Sequence, residues 1–495
     1  MTRKIVIEPI TRVEGHGKVT IQLDDAGNVA QSRLHIVEFR GFERFVQGRP
    51  YWEAPVLVQR LCGICPVSHH LAAAKAMDVV VGAGTGDGLT PTAEKIRRLM
   101  HYGQIFQSHS LHFFHLASPD LLFGYDSDPA IRNVVGVALA NRELATQAIL
   151  MRKYGQEVIA ATAGKKIHGT GAIPGGVNKS LSAEERDRLL KGDGGPLNAD
   201  HMVAWAQGAL AFFKDYYKKH KAFIDGFSRF PSNHLSLVRK DGALDLYHGV
   251  LRAVDAEGRR ILNDVDYQEY LEHFREEVRS WSYMKFPFLK ALGKENGWYR
   301  VGPLARLNVA DFVPTPLAQR EFEAFKAATG GKPNDMCMHT HWARLIEVLH
   351  AAESMRDLLR DPDILGNRLI VKGKRQAEGV GIIEAPRGTL IHHFAVGEDD
   401  LIKMANLIVS TTHNNEPMNR AVNCVARAML TKAKEITEGM LNAIEVAIRA
   451  YDPCLSCATH AYGQMPLEVS LFDSRGRLVS RRRKPNRRFR QDLQD

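Results

Sequence analysis

Arg60-Leu61-Cys62-Gly63-Ile64-Cys65-Pro66 lies near one end of the chain, and Asp452-Pro453-Cys454-Leu455-Ser456-Cys457-Ala458-Thr459-His460 lies near the other. Each stretch holds a Cys-x-x-Cys pair, and 388 residues separate the inner cysteines. Two sulfurs at that spacing face one metal within a single turn, and two such pairs supply four soft donors. On spacing alone the site is zinc, iron–sulfur or another thiophilic metal, or one pair is a separate redox dithiol. A zinc ribbon brings its pairs much closer in sequence. Here a shared metal would tie together the two ends of the whole fold.

Working outward, the 495 residues are 44% hydrophobic and 25% charged, an ordinary globular balance. Length alone suggests about three domain-sized units. No apolar run reaches the roughly 18–20 residues of a membrane span, and the N-terminal stretch lacks the features of a signal peptide. These readings point to a cytoplasmic protein, or one exported only with another chain. Six cysteines are too few for a disulfide scaffold, and metal-type spacing of four favours a reducing compartment. Cys337 and Cys424 read as small buried hydrophobes. Net charge is +10, and residues 461–495, with nine Arg/Lys against four Asp/Glu, carry +5 of it. The basic run at Arg481–Lys484 and Arg487-Arg488 reads as a solvated tail, since no nucleic-acid motif accompanies it.

The pattern predicts an α+β fold, a mainly helical core with an N-terminal β-hairpin and small peripheral β segments. Alternation over residues 18–23 and a return strand from Val29 to Phe39, around Asp24–Asn28, give the hairpin. Pro66 suits the first turn of a helix that runs on through His69. Further helices are expected at about 92–117, 129–162, 198–226, 315–329, 339–361, 399–413 and 415–450. A mixed insertion is expected at 233–312, a short β segment at 379–393, and strands at 467–472 and 477–479. Asp452-Pro453 stops the last helix.

Cys65 stands where a helix begins, so the positive end of the helix dipole favours its thiolate. His69, one turn on, can reach a ligand sulfur, and His460 follows Cys457 by three residues. With these neighbours, the two cysteine stretches resemble the paired signatures of the large, catalytic subunit of nickel–iron hydrogenases. Arg12-Val13-Glu14-Gly15-His16, Arg40-Gly41-Phe42-Glu43 and Glu384-Ala385-Pro386-Arg387-Gly388, with His392, match further elements in family order. Within the family the chain is most similar to the soluble NAD-reducing type.

The resemblance implies one large-subunit domain over residues 1–460, with nickel held by Cys62, Cys65, Cys454 and Cys457. Cys65 and Cys457 would bridge to an iron carrying carbon monoxide and cyanide. The implied reaction is reversible heterolysis of H2, with Cys454 as first proton acceptor and Glu14 as relay. Arg387 would lie over the open metal face, Asp120 would be its acidic partner, and Thr411 would offer a hydroxyl to a cyanide. Glu43 and His460 would hold a magnesium ion. Electrons would pass to an iron–sulfur small subunit, since the two spare cysteines cannot hold a cluster, and then through flavin-containing diaphorase subunits to NAD+.

Large subunits of this family are made with a C-terminal extension that a maturation endopeptidase removes once nickel-insertion proteins have acted. By that resemblance the chain reads as an unprocessed precursor, cleaved after His460 or Ala461 to remove 461–495. A regulatory H2 sensor, a metal-free subunit of the quinone-reductase type and a structural-zinc scaffold are the competing functions.

Overall fold

The computed structural model describes residues 4–83 and 88–459, together with the backbone strands Glu468–Phe472 and Leu478–Arg483. Helix Pro66–Val80 follows Cys65 directly, with Pro66 in its first turn, and nearly every side chain on it is buried. A helix buried all round must have neighbours on every side. The sheet strands Glu378–Ala385 and Gly388–Val396 are among those neighbours.

The bundle beside it is built from Pro91–Leu111, Arg142–Ala163, Ala199–Lys219 and His339–Arg360. Thr90 caps the first of these, its hydroxyl accepting from Ala93 N. The first two lie unusually close. A Cβ on Gly155 would stand 2.7 Å from Gly103 O, and a Cβ on Gly103 would stand 2.8 Å from Val158 Cγ1. Pro91–Leu111 continues as a π-helical segment, His112–Ala117, and then as Ser118–Phe123. The expected helices at 129–162 and 198–226 each divide, at Asn141 and at His220. Asn141 caps its successor by accepting from Leu144 N.

Among the described residues three sheets have three or more strands. At the N-terminus Gly17–Leu23 and Val29–Ile36 form the predicted hairpin, and Lys4–Ile7 adds a third strand. The 233–312 region holds a four-stranded sheet in which Tyr299–Arg300 runs parallel to Asn233–Val238. It ends in helix Pro303–Val309. In the third sheet the predicted β segment is a hairpin, Glu378–Ala385 paired with Gly388–Val396.

Two expectations fail here. Residues 399–413 are not a helix: Ile402–Ile408 is the third strand of that sheet, paired with Ile391–Val396, and only Ser410–His413 is helical. Pairing to a buried strand outweighs the modest helix preference of Lys403, Met404 and Ala405. Nor is 415–450 one helix. Asn415–Leu430 and Glu438–Ala450 are separate, and Thr437 caps the second by accepting from Met440 N. At the far end Glu468–Phe472 pairs antiparallel with Leu478–Arg483, close to the expected strands.

Candidate metal centre

The two cysteine stretches meet. Cys62 and Cys454 Sγ are 3.4 Å apart, Cys65 and Cys457 Sγ are 4.0 Å apart, and all four sulfurs lie within 4.8 Å of one another. All four cysteines are buried. Cys62 Sγ accepts from Ile64 N (3.2 Å) and Cys65 N (3.3 Å), a local geometry that the Cys-Gly-Ile-Cys turn dictates. Burial holds the Cys454 and Cys457 thiols well above their ordinary range. Hydrogen bonds from Cys454 and Cys457 hold Cys65 well below it, with help from His69. Four dry sulfurs in mutual contact cannot share several negative charges unaided. A soft cation among them reverses that balance, so the donor set fits a thiophilic metal.

Beside the sulfurs lies a small recess, lined in part by Cys65, His69, Pro386, Arg387, Thr411 and Cys457. Arg387 sits in the two-residue connection between paired strands, since Ala385 is opposite Gly388. Its Nε donates to Asp452 O (2.5 Å) and its Nη2 to Asp452 Oδ1 (3.0 Å). Burial opposes the Arg387 charge, but Asp452 and the nearby thiols outweigh it and keep the guanidinium protonated. Arg387 Nη1 is buried and has no partner among the described residues. A buried donor left unpaired in this way suits a ligand in the recess.

Glu14 closes the other side. Cys454 Sγ donates to Glu14 Oε2 at 2.9 Å, and Ser456 donates to the same carboxylate through its N (3.2 Å) and its hydroxyl. The backbone docks too, with Leu455 N donating to Glu14 O at 3.0 Å.

A profile of the nickel-dependent hydrogenases matches residues 40–126 and 245–460, and a HoxL-like profile matches residues 4–39. The chain is 55% identical to the NAD-reducing hydrogenase HoxS subunit beta of Cupriavidus necator, over 97% of this chain and all of that one. It is 43% identical to a chain of the F420-non-reducing hydrogenase of Methanothermobacter thermautotrophicus, over 97% of this chain and 99% of that one. The chain belongs to the nickel-dependent hydrogenase family.

It is a large subunit of that family, and its fold agrees. A solved NAD+-reducing nickel–iron hydrogenase in the H2-reduced state superposes with a TM-score of 0.88 at 55% identity, over 93% of this chain and all of that one. The nickel–iron–selenium hydrogenase of D. vulgaris Hildenborough shares the fold alone, with a TM-score of 0.72 at 23% identity over 93% of this chain and all of that one.

Within this hydrogenase, His69 Nδ1 lies 3.1 Å from His392 Nε2, and the same imidazole hydrogen-bonds to Cys65. Thr411 Oγ1 accepts from Cys454 N at 3.0 Å and borders the recess. Glu43 Oε1 accepts from Leu407 N at 2.9 Å, and burial raises its carboxyl above the usual range. His460 lies outside the described residues. The chain just before it reaches the Glu43 loop, because Arg40 N and Gly41 N donate to Thr459 O at 3.0 and 3.4 Å.

Asp120 is not the partner of Arg387. It accepts from Arg12 Nη2 (2.5 Å), Arg449 Nη1 (3.1 Å) and Asn442 Nδ2 (3.2 Å), which fastens the N-terminal loop to helix Glu438–Ala450. Asp452 takes that role instead, and burial lifts its carboxyl to about 6. In the sequence Asp452 reads only as a helix stop. Its left-handed backbone, φ 52°, turns the chain so that both its carbonyl and its carboxylate face Arg387. Nor does the sequence single out His168. At φ 56° its Nε2 donates to Cys62 O (3.0 Å), while Arg60 Nη1 lies 3.0 Å from its Nδ1.

Proposed function

We propose that this hydrogenase chain catalyses reversible heterolysis of H2 and that its electrons reach NAD+ through a small iron–sulfur subunit, then through flavin-containing diaphorase subunits. The reading rests chiefly on the 55% identity to an NAD-reducing relative across nearly the whole of both chains. It places the complex in the cytoplasm. Among the described residues no helix is long and apolar enough to cross a membrane.

Cys62, Cys65, Cys454 and Cys457 would hold nickel, and Cys65 and Cys457 would share an iron carrying carbon monoxide and cyanide. Bound there, the pair supplies Lewis acidity and redox capacity toward H2. The residues handle the proton. Cys454 Sγ passes it to Glu14 Oε2, and the Ser456 contacts hold that carboxylate at the sulfur. Arg387 presents a fixed cation and an unmatched donor to the recess. Thr411 accepts from Cys454 N and still carries a hydroxyl proton to give to a diatomic ligand. His69 anchors Cys65. Glu43 and His460 would bind magnesium, and removal of 461–495 after nickel insertion would complete maturation.

Metal analysis with infrared spectroscopy and H2-dependent NAD+ reduction tests the proposal. Nickel, iron, diatomic stretches and NAD+ turnover are expected. Zinc in place of nickel would overturn it, and nickel–iron without turnover would favour an H2 sensor.

A further inference from the structure

Arg306, on helix Pro303–Val309, lies under the connection that carries Arg387, and its five N–H groups meet five acceptors. Nε donates to Glu347 Oε1 (2.6 Å). Nη2 donates to Glu347 Oε2 (2.6 Å) and Pro386 O (3.2 Å). Nη1 donates to Glu384 Oε2 (2.9 Å) and Ala385 O (2.9 Å). Arg306, Glu347 and Glu384 are all 0% exposed. The carboxylates are fixed in turn. Glu384 Oε1 accepts from Leu237 N (2.9 Å) and Thr389 Oγ1 (2.7 Å), and His109 Nε2 donates to Glu347 Oε2 (2.8 Å).

We propose that Arg306 is a positioning residue for H2 turnover: by gripping the Ala385 and Pro386 carbonyls it sets where the Arg387 guanidinium stands over the recess. This deepens the proposed function and rests on it. Two features of the cluster support the claim beyond simple stability. Three charges without solvent are an expensive way to hold a turn, and well-packed apolar groups would hold it at lower cost. Every donor of the fork is used, and two of the five go to the peptide carbonyls flanking the Pro386 ring, immediately before Arg387. A lysine offers a point charge with three donors and cannot hold both carboxylates and both carbonyls in one plane. The turn also packs tightly on the N-cap of the helix that carries Arg306. A Cβ on Gly302 would stand 2.9 Å from Arg387 O, so the turn has little room to move closer to that helix.

The test is a double-mutant cycle on the assembled, metal-loaded enzyme, comparing wild type, Arg306→Lys, Arg387→Lys and the double variant. Nickel content, kcat for H2 oxidation and amide hydrogen exchange at 384–390 are the readouts. We expect Arg306→Lys to keep its nickel, to exchange faster at the turn and to lose about 10²-fold in kcat, the scale of a 1 Å misplacement. We expect the double variant to be no slower than Arg387→Lys alone, because Arg306 acts through Arg387. Wild-type kcat in Arg306→Lys, or losses that multiply in the double variant, would overturn the proposal. Should Arg306→Lys not accumulate, Glu384→Gln, which removes one carboxylate charge at constant volume, goes through the same cycle with the same two outcomes. A wild-type enzyme that lacks nickel or H2 turnover sinks the proposed function instead, which separates the two failures.

Discussion

Cys454 Sγ donates to Glu14 Oε2 at 2.9 Å, a contact between residues 440 positions apart in the chain. A buried thiol and a carboxylate at hydrogen-bond distance can share a proton, and the two come from opposite ends of the chain. Three contacts from the Leu455-Ser456 backbone and the Ser456 hydroxyl keep Glu14 there.

Glu14→Gln keeps the shape and removes the proton acceptor. H2 turnover should fall by about 10²-fold or more, the ordinary worth of a positioned general base. Nickel content should stay at the wild-type level, because the four sulfurs are untouched and a glutamine oxygen can still accept from Ser456. Steady-state turnover beside metal analysis checks both expectations, and unchanged turnover removes Glu14 from the proton path.

Lys75 offers a pH-dependent signature away from the metal. Its Nζ donates to Ile382 O (2.7 Å) and Tyr247 O and faces the Tyr247 ring at 4.8 Å. Burial lowers its pKa to about 7 from 10.5. The unfolded chain therefore holds this proton up to about pH 10.5 while the folded chain sheds it near 7. Stability should rise with pH across that window, by at most about 1.4 kcal/mol per unit from this group. Lys75→Met should flatten the slope of apparent melting temperature between about pH 7 and 10, whatever its effect on absolute stability. A parallel slope in the variant contradicts the reading.

The cysteines were legible because a soft metal needs sulfurs at that spacing, and the Glu-Ala-Pro-Arg-Gly turn was legible through its resemblance to the family's element. The strand at Ile402–Ile408 was not, although it folds straight back on Ile391–Val396, because its own apolar spacing suits either period. The partner of Arg387 was hidden for a related reason. Asp452 carries an ordinary helix-stop signal, and only tertiary folding turns it toward the guanidinium. Arg306 gave no signal at all, since two of its five acceptors are peptide carbonyls, which every sequence contains.

Gly155 tests the bundle. Its missing Cβ lets Pro91–Leu111 approach, with Gly103 O and Gln107 both within 2.7 Å of where that atom would be. Gly155→Val should destabilise the folded chain by about 1–3 kcal/mol through overpacking. Gln104 and Gln107 on that helix both donate to Ile64 O (2.9 and 2.8 Å), inside the first cysteine turn. Nickel retention should therefore fall together with the melting temperature. A stable variant that retains full nickel would show the two helices can part without disturbing the turn.

Removing the metal should expose the sulfurs to each other. In metal-free protein a mild oxidant should join Cys62 to Cys454, the nearer pair at 3.4 Å, in preference to Cys65 and Cys457 at 4.0 Å. Peptide mapping under non-reducing conditions reads the pairing. Metal-loaded protein should resist the same treatment, since its thiolates are already engaged.

Arg40 and Gly41 clasp Thr459 through their amides. This fixes an order of events during synthesis. The residues that receive the C-terminal cysteines leave the ribosome hundreds of codons before those cysteines exist. Until then the early Cys62 and Cys65 have no partners, and the loop around Glu14 has nothing to close on. The four-sulfur site therefore cannot be complete until Cys454 and Cys457 have been made, and no nascent fragment that stops short of them can contain it.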